Sequence, residues 1–217
     1  MKSSSLPLPA NVRAMVQQAL GGRPIREEFA WMSWAGTVWK LGGESGAVLF
    51  VKRAADLTGE RDRLAWLHGR WPVPQTAGFF HELGDDWLVT REISGVPMYH
   101  PSVGWAPERV ARKLGEILRG LHATEARDCP FGTRKAGHVL IHGDYCLPNV
   151  LVRDGELSGL VDVGLSGLGN PETDLAAGVW TLQYNFGKSF ARTFLDAYGW
   201  PPMTDAAIEK LRRRYGR

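Results

Sequence analysis

Cysteine is scarce in this chain: Cys129 and Cys146 are the only two among 217 residues. They are too few for a disulfide framework and lack the repeated short spacings of a zinc site, so free thiols in a reducing, cytoplasmic setting are expected. Long apolar runs are missing as well. No stretch reaches the roughly 18 residues of a membrane-crossing helix, and Pro7 and Pro9 interrupt the amino-terminal segment before a signal-like run can build. Neither a membrane nor a secretory route is expected. Charge of one sign is also in short supply. With 26 basic against 23 acidic residues, the net charge of +3 gives no reason to expect a nucleic-acid partner. The one dense basic run, Arg212 to Arg214, falls at the end of a helical pattern, where cations complement the helix dipole.

What remains is an ordinary globular composition, 44% hydrophobic and 23% charged, with no internal repeat and no low-complexity segment. Nine tryptophans are spread from Trp31 to Trp200 without a stacking period, which suits core and pocket walls. Helical spacing of Val12, Met15, Val16, Ala19 and Leu20 predicts a leading helix stopped by Gly21 and Gly22. Two strand patterns follow, Thr37 to Leu41 and Ala47 to Lys52, and then a helix over 57–67 that carries Glu60. Thr76 to Leu83 and Trp87 to Glu92 read as another strand pair, and Ser94 to Pro97 as a connector.

The connector divides the chain into a sheet-rich segment, 1–93, and a helical one, 94–217. In the second, Pro107 opens a helix whose stripe of Val110, Leu114, Ile117, Leu118 and Leu121 runs to about His122. Short strands are expected at 139–141, 149–152 and 157–163, with helices near 173–186, 188–198 and 204–214.

The chemistry-bearing string is His142-Gly143-Asp144-Tyr145-Cys146-Leu147-Pro148-Asn149, a loop between two short apolar strands. Gly159-Leu160-Val161-Asp162-Val163-Gly164 follows and brings a second aspartate to a strand end. Phosphoryl transfer needs such a set: one carboxylate to position a hydroxyl and take its proton, and an amide oxygen plus another carboxylate to hold Mg²⁺ against a triphosphate. Taken singly, each aspartate reads equally well as a turn cap, and Lys52 and Glu60 as solvated surface charges.

Together and in this order, HGDYCLPNVLV and GLVDVG resemble the catalytic and metal-binding segments of the aminoglycoside 3′-phosphotransferases. The likeness extends upstream through VLFVKR, the Glu60 helix and DWLVTREISG, over roughly residues 30 to 190. It implies an α+β, bilobal protein-kinase-like fold, with 1–93 as the nucleotide-binding lobe and 94–217 as the catalytic and acceptor-binding lobe. It also implies a small-molecule kinase of an antibiotic-resistance class, with ATP and Mg²⁺ as cofactors and a small hydroxyl compound as acceptor. Carried over by position, Asp144 becomes the catalytic base, and Asn149 and Asp162 the Mg²⁺ ligands. Lys52 becomes the phosphate-binding lysine and Glu60 its partner. Glu92 and Ile93 fall in the hinge whose backbone binds adenine, and Ser33 in the loop over the phosphates. Asp174 matches an aspartate that braces the catalytic loop, though a plain helix cap explains it equally well. His142 reads as an organiser of that loop rather than a base.

The resemblance weakens around the acceptor. Only Thr124 to Gly137 stand where the family inserts an acidic helical pair, Leu165 replaces the usual arginine after the second aspartate, and the closing helix is expected to be short. Between 125 and 138 two acidic residues face three basic ones, and after Asp162 five face seven. A kinase for a different hydroxylated metabolite, or a nucleotide-binding module without activity, therefore stand as alternatives. A protein kinase, which shares the fold, is a remote further reading: against it, there is no G-x-G-x-x-G loop and no A-P-E-like segment after Asp162.

Overall fold

The computed structural model describes residues 7–22, 25–33, 36–43, 46 and 48–215, with the backbone alone at 26–33 and 43. The chain divides into two compact units, Met1–Ile93 and Ser94–Arg217. Among the described residues no helix is long and apolar enough to cross a membrane.

The first unit is a five-stranded antiparallel sheet with a helix against it. Its elements are α1 (Ala10–Ala19), β1 (Ile25–Ser33), β2 (Gly36–Gly43), β3 (Val48–Ala54), α2 (Thr58–Leu67), β4 (Thr76–Glu82) and β5 (Asp85–Arg91). The strands lie in the order β1-β2-β3-β5-β4. Alternation along the strands sends Trp39, Leu41, Leu49, Val51, Trp87 and Val89 to one face, where they meet Leu8, Val12 and Val16. Trp39 and Trp87 stack at 5.5 Å between centroids. Each such apolar side chain, buried, contributes about 1.5–3 kcal/mol, so this face fixes the register of the strands that carry the charged residues.

The second unit contains β6 (Val96–Pro97), α3 (Pro107–His122), β7 (Val139–Ile141), β8 (Val150–Arg153), β9 (Glu156–Leu160), β10 (Gly167–Gly169), α4 (Glu172–Phe186), α5 (Ala191–Tyr198) and α6 (Asp205–Arg212). Small sheets of order β6-β8-β9 and β10-β7 hold the loop segments, and helices make the rest. Helix α3 presents Val110, Leu114, Leu118 and Leu121 to the core. Glycine at 115 lets α5 come close, since a Cβ there would lie 2.4 Å from the Phe194 carbonyl oxygen. Thr204 caps α6 by accepting the Ala207 N–H at 3.3 Å.

Two local readings from the sequence change, at 157–163 and 94–97, and two segments it left unassigned form strands. Residues 25–33 form a strand, although their glutamate pair hides the alternation. The expected strand over 157–163 ends at Leu160. The connector at 94–97 contributes the short strand β6, and the segment near 167 contributes β10.

Candidate active site

The loop from His142 to Asn149 is fixed at both ends and in the middle by the second unit. Asp174 is fully buried. Its Oδ2 accepts the His142 N–H at 2.6 Å and its Oδ1 the Gly143 N–H at 2.8 Å, so one carboxylate grips two successive backbone amides. His122 Nε2 lies 3.1 Å from Oδ2, and His122 Nδ1 lies 2.9 Å from the Tyr198 hydroxyl. Burial, with the Asp174 charge behind it, raises the Tyr198 pKa. The cap reading of Asp174 is thereby replaced: it makes no N-cap bond for α4 and braces the loop instead.

His142 is fully buried, its Nδ1 accepting the Asp144 N–H at 3.3 Å while Nε2 lies 3.0 Å from the Val161 carbonyl oxygen. These partners assign the proton to Nε2 and leave no nitrogen for base chemistry. Tyr145 donates to the Leu114 carbonyl at 2.9 Å, and Leu147 N–H donates to the Thr181 hydroxyl at 3.2 Å. Burial holds the Tyr145 phenol well above its ordinary pKa, so it stays a donor.

Within this frame Asn149 Nδ2 donates to the Asp144 carbonyl at 2.9 Å and to Asp144 Oδ2 at 3.1 Å. The amide nitrogen is thus consumed by Asp144. Val161 N–H donates to the Asn149 carbonyl at 3.0 Å, which ties Asn149 to the residue before Asp162. Asp162 is exposed and takes φ +57°, a left-handed conformation that aspartate tolerates better than most residues. Gly143, at φ +91°, lies so close to Leu165 that a Cβ would meet its carbonyl oxygen at 2.6 Å. The two aspartate-bearing loops therefore pack backbone to backbone.

Asp144 Oδ1 has a further partner that the sequence did not disclose. The Tyr215 hydroxyl donates to it at 2.6 Å, and the Cys146 thiol lies 3.4 Å from the same oxygen and 3.2 Å from that hydroxyl. Burial pushes the Cys146 pKa up to about 12, which makes it an inert packing thiol at neutral pH. Burial and the hydrogen bond to Asp144 raise the Tyr215 pKa far above its ordinary value. No spacing rule links residues so far apart in the chain, and only the position of α6 could reveal the contact.

In the first unit, Lys52 Nζ meets Glu60 Oε2 at 2.7 Å, with both side chains largely shielded at 13% and 14% exposure. Asp86 sets the start of α2, and hence Glu60, from the neighbouring strand. It accepts the Leu57 N–H at 2.9 Å and the Thr58 hydroxyl at 3.4 Å. The Leu57 bond, aided by His81, holds its pKa below the usual carboxylate value. Glu92 N–H is used by the Val48 carbonyl and its carboxylate by Lys40, whereas the Ile93 amide has no partner among the described residues. Ser33 pairs by backbone with Gly36, but its side chain, and Trp34 and Ala35, lie outside the described residues. Gly36 is obligatory by contact, because a Cβ would lie 1.9 Å from the Arg53 carbonyl oxygen beside Lys52.

Comparison with known proteins places the fold and the family. A crystal structure of an aminoglycoside-3′-phosphotransferase of type VIII superposes with a TM-score of 0.73 and 27% identity, covering 92% of this chain and 97% of that one. The fold is thus the protein-kinase-like fold of the aminoglycoside phosphotransferases. An aminoglycoside phosphotransferase from Streptomyces rimosus, in complex with ADP and streptomycin, shares the fold at a TM-score of 0.66 and 20% identity, over 84% of this chain and 89% of that one. In sequence, an aminoglycoside 3′-phosphotransferase of Streptomyces fradiae is 28% identical, over 67% of this chain and 74% of the relative. The model of the phosphotransferase enzyme family known as APH matches residues 32–138 and 133–212, and the chain belongs to that family. It is a phosphotransferase that takes an alcohol group as acceptor.

Proposed function

We propose that the protein transfers the γ-phosphoryl group of ATP to a hydroxyl of a small molecule, with aminoglycoside-like compounds the first acceptors to test. The observation that carries this reading is the Asp144–Asn149 couple, held on a loop whose backbone is clamped by Asp174. A base must be rigid relative to the group it activates, since misplacement by about 1 Å costs on the order of a hundredfold.

In this mechanism Asp144 accepts a hydrogen bond from the acceptor hydroxyl, aims its oxygen at the γ-phosphorus, and takes the proton as the new bond forms. Asn149 is held by Asp144 through its nitrogen and presents its oxygen, and Asp162 adds a carboxylate from the adjoining loop. Two hard oxygen donors suit Mg²⁺, which keeps several waters of its own and supplies charge neutralisation on the phosphates when bound. Lys52, aimed by Glu60, would take the α- and β-phosphates, and the unpartnered Ile93 amide suits an adenine edge. On this reading, the first unit binds nucleotide and the second carries catalysis and acceptor.

Asp144→Asn is the test. It preserves shape and the bond from Asn149 while removing the proton acceptor, so turnover should fall at least about a hundredfold with Mg²⁺-ATP affinity nearly unchanged. Coupled ADP-release kinetics together with calorimetry measure both. Near-normal turnover in this variant would refute the assignment of the base.

A further inference from the structure

Asp144 does not stand open in this protein: a hydroxyl already occupies its Oδ1. The Tyr215 O–H makes, at 2.6 Å, the hydrogen bond that an acceptor hydroxyl must make before transfer. The Tyr215 ring rests against Trp180 with centroids 5.0 Å apart, and Trp180 stacks on Tyr184 at 5.2 Å and 11°. Tyr184 is 77% exposed, so this aromatic row runs from beside the carboxylate out to solvent. Trp180 lies beside this loop, because the next residue of α4, Thr181, accepts the Leu147 N–H of the same loop.

The charges nearby are already paired. Glu172, on α4, forms an ion pair with Arg214, the neighbour of Tyr215. Glu209 is bound by Arg212 at 2.7 Å and Arg213 at 3.2 Å, and the Arg212 bond foremost lowers its pKa to about 2. A depression on α6 lined by Ala206, Glu209, Lys210, Arg213 and Arg214 offers three cations against one carboxylate. A polycation losing its hydration there would find few anionic partners.

We infer that Tyr215 stands in for the acceptor, and that Trp180 is the platform on which the acceptor ring lies once Tyr215 has withdrawn. This rests on the assignment of Asp144 as the base. The acceptor class that follows is an uncharged compound carrying its hydroxyl on a ring with a flat apolar face. The ring O–H gives its proton to Asp144 as the O–Pγ bond forms, and the bond from Pγ to the β,γ-bridging oxygen breaks to release ADP. Tyr215 and Trp180 are then specificity residues: one competes with the acceptor, the other receives it.

The experiment uses the full chain with Mg²⁺-ATP and three probes. These are 4-methylphenol (the tyrosine side chain as a free molecule), methyl α-D-glucopyranoside as a neutral ring, and kanamycin as a polycation. Tyr215→Ala should lower the KM for at least one neutral probe by about tenfold or more, the scale of a lost charge-assisted hydrogen bond. Tyr215→Phe, which keeps the ring, should lower it less. Trp180→Ala should raise that KM with a smaller change in kcat, whereas damage to the fold would reduce kcat and calorimetric ATP affinity together. Neutral-probe KM values that do not move in the Tyr215 variants, or a kcat/KM for kanamycin above those of both neutral probes, would overturn the inference. Asp144→Asn is run beside them. If it abolishes turnover while Trp180→Ala and Tyr215→Ala do nothing, the acceptor platform fails and the base stands; if it leaves turnover intact, the underlying phosphotransfer reading fails first.

Discussion

The two units hold their charged groups by different physical means. In the second, the Asp174 carboxylate is wholly removed from water and grips the amides of His142 and Gly143, so what it fixes is main chain. In the first, Glu60 grips only the ammonium tip of Lys52, at the end of a flexible four-carbon stem, and retains some contact with solvent. A clamp on backbone sets the position of every atom in a loop. A clamp on a side-chain tip limits only where a charge can swing. The contrast matches the two tasks proposed for them, proton transfer at a fixed point and attraction of a mobile polyanion.

Breaking the stronger clamp should have the larger effect. Asp174→Ala strips two buried backbone donors and His122 of their acceptor, and should destabilise the protein by about 3 kcal/mol or more. Turnover should fall with it, even where the protein remains folded, because the Asp144 loop is released. Denaturant melts and single-turnover kinetics check the two parts separately. A loss well under 1 kcal/mol would erase the distinction drawn here. Glu60→Gln tests the weaker clamp. It should raise the KM for ATP several-fold to about tenfold, change the acceptor KM less, and cost about 1 kcal/mol or less in stability, as expected for a partly exposed pair.

The smallest expected effect sharpens the comparison through pH. Asp86 holds the start of α2, and its folded-state pKa lies below the usual value of 3.8. A depressed carboxylate contributes stability above its unfolded pKa and loses it as pH falls through the folded one. Asp86→Asn should therefore be less stable than the parent protein near pH 7, by about 1 kcal/mol on the scale of a helix cap. The difference should close as pH falls below 3.8. Urea midpoints between pH 7 and pH 3 measure it, and a gap that widens in acid would reverse the assigned sign.

Some of this was readable from residue order. Period-two and helical spacings announced α1 to α6 and most strands, because burial of alternate or every third and fourth residue is a local constraint on sequence. The loop His142 to Asn149 and the turn at Asp162 were legible for a similar reason: Asp144 and Asn149 bond across five residues, and a single strand pairing brings Val161 to Asn149. Strand β1 was not, since its pairing with β2 shifts register between Glu27 and Phe29, and such a bulge breaks the period of two.

Other contacts belong to tertiary structure alone. Asp174 could be a cap or a brace by sequence, and only the docking of α4 beneath the loop turned its two oxygens toward His142 and Gly143. His122 and Tyr198, 76 residues apart, were joined to that brace by the packing of α3 on α5. Tyr215 reached Asp144 across 71 residues because α6 lies against α4. The chain by itself determined which groups the proposed phosphoryl transfer can draw on, since their chemical types and local spacing are written in order along it. Which of them are braced, and which hydroxyl meets Asp144, was decided by helix packing, because a hydrogen bond depends on distances of about 3 Å that no sequence separation encodes.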